Sequence, residues 1–211
     1  MQDIKNKASN IYRILKETYP DVKCELNFTN MYELVTAVIL SAQTTDKRVN
    51  IVTETLFKKY PTIIDLSNAE FSDVYDIICE LGLAKTKTKN IIEMAKTIIK
   101  DYNMEYPKEL DELIKIPGIG RKTANVIISE GHKLPGFPVD THIHRLSKRL
   151  GLVEINNDPY QTELILKELF ASSTWHYMHL ALIIHGRRVC NARKPLCNEC
   201  PLKTLCIYQE E

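Results

Sequence analysis

Lys122 lies in the stretch "IPGIGRKTANVI", residues 116–127, just past a Pro-Gly-x-Gly turn and directly after Arg121. An amine in that place has a particular chemistry open to it. At a helix entrance the backbone dipole is positive, and with Arg121 beside it the neutral amine is favoured, the nucleophilic form that builds a Schiff base. Two cations in a first turn cost the fold about 0.3–1 kcal/mol each when exposed, and folding alone would favour Asp or Glu there. A bound phosphate would justify the same two cations, so both uses stay open.

The run nearly spells a nucleotide-binding loop, but a P-loop needs four residues between its glycines, Lys directly after the second, and a strand in front. Here one residue separates Gly118 from Gly120, Arg121 takes the lysine position, and the preceding segment has helical period. What remains is helix, tight turn, helix. The glycines allow close backbone approach and positive φ. The N–H groups opening the second helix can then converge on a phosphate, or the segment is a plain interhelical turn.

A second chemical cluster stands near the C-terminus. Cys190, Cys197, Cys200 and Cys206 are separated by six, two and five residues. Four thiols so close imply a metal or iron–sulfur centre in a reducing compartment. Zinc sites usually read as two short pairs with a longer gap, whereas one close pair flanked by single thiols suits a loop around a compact cluster. Zinc stays open as the alternative. Between the first two thiols, Arg193 and Lys194 would be held rigidly for phosphate contacts, or would sit on a solvated loop. Cys24 and Cys79 are isolated and read as small hydrophobes. Asp140, first in "DTHIHRL", is suited to be a helix N-cap.

The elements that must position these residues are helical almost throughout. "MYELVTAVILSAQ" is apolar nearly all round, as a helix central to a bundle would be. Asp46 is expected to cap "KRVNIVTETLFKKY", Ser67 and Glu70 to form a capping box before "FSDVYDIICEL", and Pro107 to open "PKELDELIKI". About ten helices make an all-α protein, with "KLPGFP", Lys133 to Pro138, as the hinge between two lobes. Of 211 residues, 44% are hydrophobic and 26% charged, an ordinary globular balance. No segment approaches the ~20 apolar residues of a membrane span, and the N-terminus lacks a signal-peptide core, so an intracellular, cytoplasmic protein is expected. The net charge is only +1, yet it is unevenly spread. Five lysines against Glu93 make Lys85–Lys100 locally basic, and Arg187–Lys203 repeats the pattern against Glu199. Acids gather at 65–80 and 154–168, which points to a one-sided field.

Five motifs occur in order: "SAQTTD" (41–46), "LGLAKTKTKNI" (81–91), "IPGIGRKTANVI", "VDTHIHRL" and Cys-x6-Cys-x2-Cys-x5-Cys. From about Glu25 to Cys206 the chain resembles the bacterial and archaeal endonuclease III family, DNA glycosylases with AP-lyase activity in the helix–hairpin–helix superfamily. The resemblance implies two helical lobes with a DNA-binding cleft. It implies a six-helix domain over 24–136 carrying the hairpin (about 107–131), and a second domain from 1–23 plus 137–211 with a [4Fe–4S] cluster on a loop at 190–206. By the same resemblance Lys122 matches the nucleophile and Asp140 the catalytic carboxylate. Pro117, Gly118, Ile119, Gly120 and Arg121 form the phosphate-gripping hairpin. Gln43 matches the residue filling the gap left by an extruded nucleotide, Leu83 the wedge on the opposite strand, and His142 a DNA contact. His144 stands where some relatives have an aromatic residue.

The activity implied is base-excision repair of oxidised pyrimidines such as thymine glycol in double-stranded DNA, with cleavage at abasic sites, by a monomer without membrane association. Adenine glycosylases of the superfamily lack the lysine and extend further beyond the cluster; 8-oxoguanine enzymes with this hairpin often lack the cluster. The alternatives are a monofunctional glycosylase for another base or mismatch, with Lys122 inert, and a non-catalytic hairpin protein that binds DNA and holds zinc.

Overall fold

The structure, a computed structural model, describes residues 2–208. Every regular element among them is helical. In chain order these are α1 (Gln2–Thr18), α2 (Met31–Leu40), α3 (Asp46–Lys59), α4 (Ile63–Ser67), α5 (Phe71–Ile78), α6 (Ala84–Tyr102) and α7 (Leu110–Leu113). They are followed by α8 (Arg121–Val126), α9 (Thr141–Arg149), α10 (Pro159–Leu169) and α11 (Trp175–Arg188). A π-helical turn, Ile127–Gly131, continues α8. Among the described residues no helix is long and apolar enough to cross a membrane.

The chain divides into two compact units, cut between Lys23 and Cys24 and again between Leu134 and Pro135, the latter inside the Pro/Gly-rich tract. The inserted unit, Cys24–Leu134, is built around α2. Leu34, Val35, Ala37, Val38, Ile39 and Leu40 are all buried there, which is why α2 has no polar face to give to water. Ile91, Met94, Ala95 and Ile98 of α6 join the same core at helical spacing. The other unit joins α1 to α9, α10 and α11. Ile11 and Leu15 meet Ile143, Leu146, Met178 and Leu182, and the Phe137 ring lies 6.2 Å from Phe170 and 6.3 Å from Trp175.

Helix starts follow capping chemistry, though not always at the expected residue. Asn30 caps α2, accepting from the Glu33 N–H at 3.0 Å. Thr45, not Asp46, caps α3, because Thr45 holds the extended backbone that a cap requires. Asp46 enters the first turn, where its charge still meets the positive end of the dipole. The expected Ser67–Glu70 box does not form. The Ser67 hydroxyl turns back to the Ile64 carbonyl at 2.8 Å, and Glu70 precedes α5 without a side-chain cap. The reciprocal pair lies earlier, Thr62 with Asp65 at α4. Pro107 likewise does not open a helix, since the backbone stays non-helical to Glu109 and α7 is a single turn. Its carbonyl instead meets His132 Nε2 at 2.9 Å.

Candidate active site

In the inserted unit, α7, a turn and α8 make the hairpin, and its two glycines serve different ends. Gly118 has φ +81°, and a Cβ there would stand 2.9 Å from Asn90 Cβ and 3.1 Å from Ile39 Cγ2. Left-handed backbone and close packing onto α6 and α2 both demand glycine. Gly120 has φ −87°, is exposed, and a Cβ on it would meet nothing within 4 Å. The space outside Gly120 is therefore open to a ligand. Ile119 turns its side chain into the core, and its N–H is taken by the Ile116 carbonyl at 3.1 Å. It anchors the turn. The N–H groups of Gly118 and Gly120 have no partner among the described residues. Arg121 and Lys122 follow in the first turn of α8, both half-buried.

Two further turns of this unit project side chains outward. Gln43 (φ +55°) and Leu83 (φ +61°) both occupy the left-handed region. A leucine there costs roughly 1–2 kcal/mol in backbone strain, and Leu83 is also 55% exposed. Folding favours neither property. Between these turns sits Lys87, one of the lysines counted in the basic Lys85–Lys100 run. It does not belong to a solvated face: it is 3% exposed, and its Nζ donates to Thr44 Oγ1 at 2.7 Å. Burial holds its pKa below the ordinary lysine value. The signal was in the spacing, since Lys87 falls three residues after Ala84 and four before Ile91, on the apolar stripe of α6.

Asp140 belongs to the other unit. Its Oδ1 accepts the Ile143 N–H at 2.8 Å, capping α9. His142, two residues on, is half-buried, with its Nδ1 3.2 Å from Arg145 Nη2. Arg145 also donates to the carbonyls of Gly186 (3.1 Å) and Cys190 (2.8 Å), tying α9 to the start of the thiol loop. His144 Nδ1 lies 2.9 Å from Thr162 Oγ1, and burial lowers its pKa.

The four C-terminal cysteines, none of them in a disulfide, line one cavity of about 460 Å³ together with Arg149 and Lys203. Among the described residues no three His, Cys, Asp or Glu side chains close on a point that would hold a single metal ion. Side-chain nitrogens approach two of the sulfurs. Arg149 Nη1 reaches Cys190 Sγ at 3.2 Å, and His185 Nε2 lies 3.5 Å from Cys200 Sγ. Burial pushes the His185 pKa down to about 4, so the ring is neutral. A neutral ring satisfies both of its contacts in either tautomer, one nitrogen donating and the other accepting, with Nδ1 3.1 Å from the Tyr19 hydroxyl and Nε2 facing the sulfur. Arg149 staples the loop at both ends. Its guanidinium donates to the Asn191 and Ala192 carbonyls, while its own carbonyl accepts the N–H groups of Ile207 and Tyr208. Arg193 and Lys194 are exposed on this loop. Neither Arg149 nor His185 stood out in the sequence, because nothing in a local pattern links them to cysteines about 40 and 15 positions away.

A glycine turn left open on one side, set between two short helices in an all-helical chain with a four-thiol loop, defines a helix–hairpin–helix protein. The family model of the HhH-GPD superfamily base excision DNA repair protein matches residues 36–172. Endonuclease III of Bacillus subtilis is 44% identical over 190 residues, covering 90% of this chain and 87% of that one. Two solved structures, a non-covalent endonuclease III–DNA complex and a trapped covalent endonuclease III–DNA intermediate, each superpose with a TM-score of 0.93 at 39% identity, over 96% of this chain and 95% of theirs. The chain belongs to the endonuclease III family within that superfamily.

Proposed function

We propose that the protein is a DNA glycosylase that removes oxidised pyrimidines such as thymine glycol from duplex DNA and then cuts the strand 3′ to the abasic site. The observation that carries this reading is Lys122, an amine in the first turn of α8 directly beyond a glycine whose outer side is open. The covalent intermediate trapped for a relative of the same fold is what an amine nucleophile would leave on DNA.

A glycosidic bond inside a duplex is out of reach, so the nucleotide is first swung out at a cost of a few kcal/mol in lost stacking. A lesion that has lost aromaticity stacks poorly and costs less to extrude. Gln43 fills the gap and Leu83 wedges the opposite strand. Lys122 Nζ then bonds to the sugar C1′ as the C1′–N bond to the base breaks, and the base leaves with that electron pair and picks up a proton. Asp140, on the other unit, is assigned the carboxylate's part, assisting the amine and offsetting positive charge on the opening sugar. The C1′–O4′ bond then breaks, O4′ taking a proton and the nitrogen giving one up, and the sugar ring opens to an imine that acidifies C2′; loss of the C2′ proton expels the 3′ phosphate, and water then frees Lys122. The Gly118 and Gly120 N–H groups with Arg121 hold a phosphate, Pro117 and Ile119 shape and anchor the turn, and His142, Arg193 and Lys194 add DNA contacts.

The thiol loop fits a [4Fe–4S] cluster held by Cys190, Cys197, Cys200 and Cys206. An N–H donor aimed at sulfur suits a thiolate ligand, and one close pair of cysteines flanked by single ones suits a loop around a compact cluster. When bound, the cluster supplies no base chemistry; its part is to fix the loop that carries Arg193 and Lys194. The two units are taken as the domains of an intracellular monomer.

Borohydride reduction on DNA containing thymine glycol tests the central step. Wild-type protein should yield a covalent protein–DNA adduct, and Lys122→Ala should yield none while strand cutting falls to background. Wild-type protein that cuts abasic DNA yet never traps would overturn the imine. Base release without cutting would establish a monofunctional glycosylase.

A further inference from the structure

We propose that Lys87 is a positioning residue that locks the Gln43 turn to the Leu83 turn, so that plug and wedge enter a duplex as one rigid pair. The inference rests on the roles proposed above for Gln43 and Leu83.

Lys87 is bonded to both turns. Its backbone N–H donates to the Leu83 carbonyl at 3.0 Å, and its Nζ donates to the hydroxyl of Thr44, the residue after Gln43, at 2.7 Å. Thr44 in turn closes the bend that presents Gln43: its N–H donates to the Ser41 carbonyl at 3.1 Å and its hydroxyl lies 3.3 Å from the Ala42 carbonyl. The turns lie side by side, since a Cβ added at Gly82 would stand 3.9 Å from the Gln43 carbonyl oxygen. Both are left-handed and both expose the side chain they carry. The nineteen-residue helix α6, with its inner face in the core, is the rigid body to which the two turns are fixed.

As a folding device Lys87 is a poor choice. It buries an ammonium whose one side-chain partner among the described residues is a neutral hydroxyl, at a position flanked on its stripe by Ala84 and Ile91. Burying a charge with so little compensation works against stability, and methionine would fill the same space. What methionine lacks is a hold on Thr44. Extrusion breaks stacking on both faces of the departing nucleotide, and the loss is offset only if the filling and wedging groups arrive together in register. A turn free to drift by an ångström would forfeit much of that.

Lys87→Met and Thr44→Val, each in the full protein, are compared by single-turnover cutting at a thymine glycol site under two conditions. In one substrate the site lies in a paired duplex; in the other it lies within an unpaired bubble, where nothing has to be extruded. The clamp predicts at least a ten-fold loss on the paired site for Lys87→Met, a loss in the same direction for Thr44→Val, and rates within two-fold of wild type on the bubble. Thr44→Ser, which keeps the acceptor, should restore wild-type behaviour. Lys87→Met should melt no lower than wild type. Should it fail to fold, Thr44→Val, at a half-exposed site, still decides the matter. Equal losses on both substrates, or wild-type rates on the paired site, overturn the clamp. Wild-type protein inactive on both substrates overturns the repair reading and the clamp with it, whereas active wild type with indifferent variants removes the clamp alone.

Discussion

At Asp140 a cap and a carboxylate share one side chain, and substitution can separate them. Oδ1 holds the Ile143 N–H at 2.8 Å, a bond that asparagine makes as well as aspartate does. Asp140→Asn should therefore melt within a few tenths of a kcal/mol of wild type, while Asp140→Ala should lose about 1 kcal/mol with the cap. If the negative charge serves the reaction, both variants should lose about 10²-fold or more in single-turnover excision. Calorimetry beside a rate assay on thymine glycol DNA checks the pair. An active Asp140→Asn would reduce the residue to a cap. The cap was legible in the sequence, because Asp at the start of an amphipathic segment has few other local uses. Lys87 was misread for the opposite reason: a charged residue among lysines was counted with its neighbours, although its helical position put it on the apolar stripe.

At the scale of the element, the hairpin divides its demands between two glycines, and each has a different expected failure. Gly118→Ala must adopt φ +81° and push against Asn90 and Ile39, which should cost about 2 kcal/mol or more and lower the melting temperature. Gly120→Ala meets no protein atom within 4 Å, so stability should change by less than about 1 kcal/mol. Its methyl would instead stand where the proposed function brings a phosphate, and binding to abasic-site DNA should weaken several-fold. Thermal melts and fluorescence-anisotropy titrations separate the two; a Gly120→Ala variant that binds as well as wild type would remove the phosphate from this turn. That these glycines enclose a tight interhelical turn was readable from Pro-Gly-Ile-Gly alone. Their division of labour was not, because it depends on Asn90 and Ile39, which approach from distant parts of the chain. The shifted caps have the same origin. A capping box needs extended backbone at its first residue, which Thr62 has, whereas Ser67 is still inside α4. Spacing of residue types marks candidates, and the backbone path selects among them.

For the whole molecule, 28 basic against 27 acidic side chains leave a net charge of +1, so any hold on DNA depends on where the charges lie and not on their sum. The two basic runs are unequal in this respect. In the Lys85–Lys100 run Lys87 is buried and Lys96 pairs with Glu93 at 3.1 Å. Arg193 and Lys194, by contrast, are exposed on a loop whose ends Arg149 staples. Each phosphate neutralised on duplex DNA contributes about 0.9 to the slope of log affinity against log salt. Arg193→Ala and Lys194→Ala should each flatten that slope by about 0.9, to the same extent on lesion-bearing and intact DNA, since backbone contacts position a protein without reading the base. The preference for the lesion should stay where it was. Removing the iron–sulfur cluster proposed for the thiol loop should flatten the slope in the same direction, because the two cations would lose the fixed loop that aims them. Titrations from low to moderate salt on both DNAs give the slopes. A slope unmoved by either substitution would take this loop off the phosphates and leave the cluster with no part in binding DNA through it.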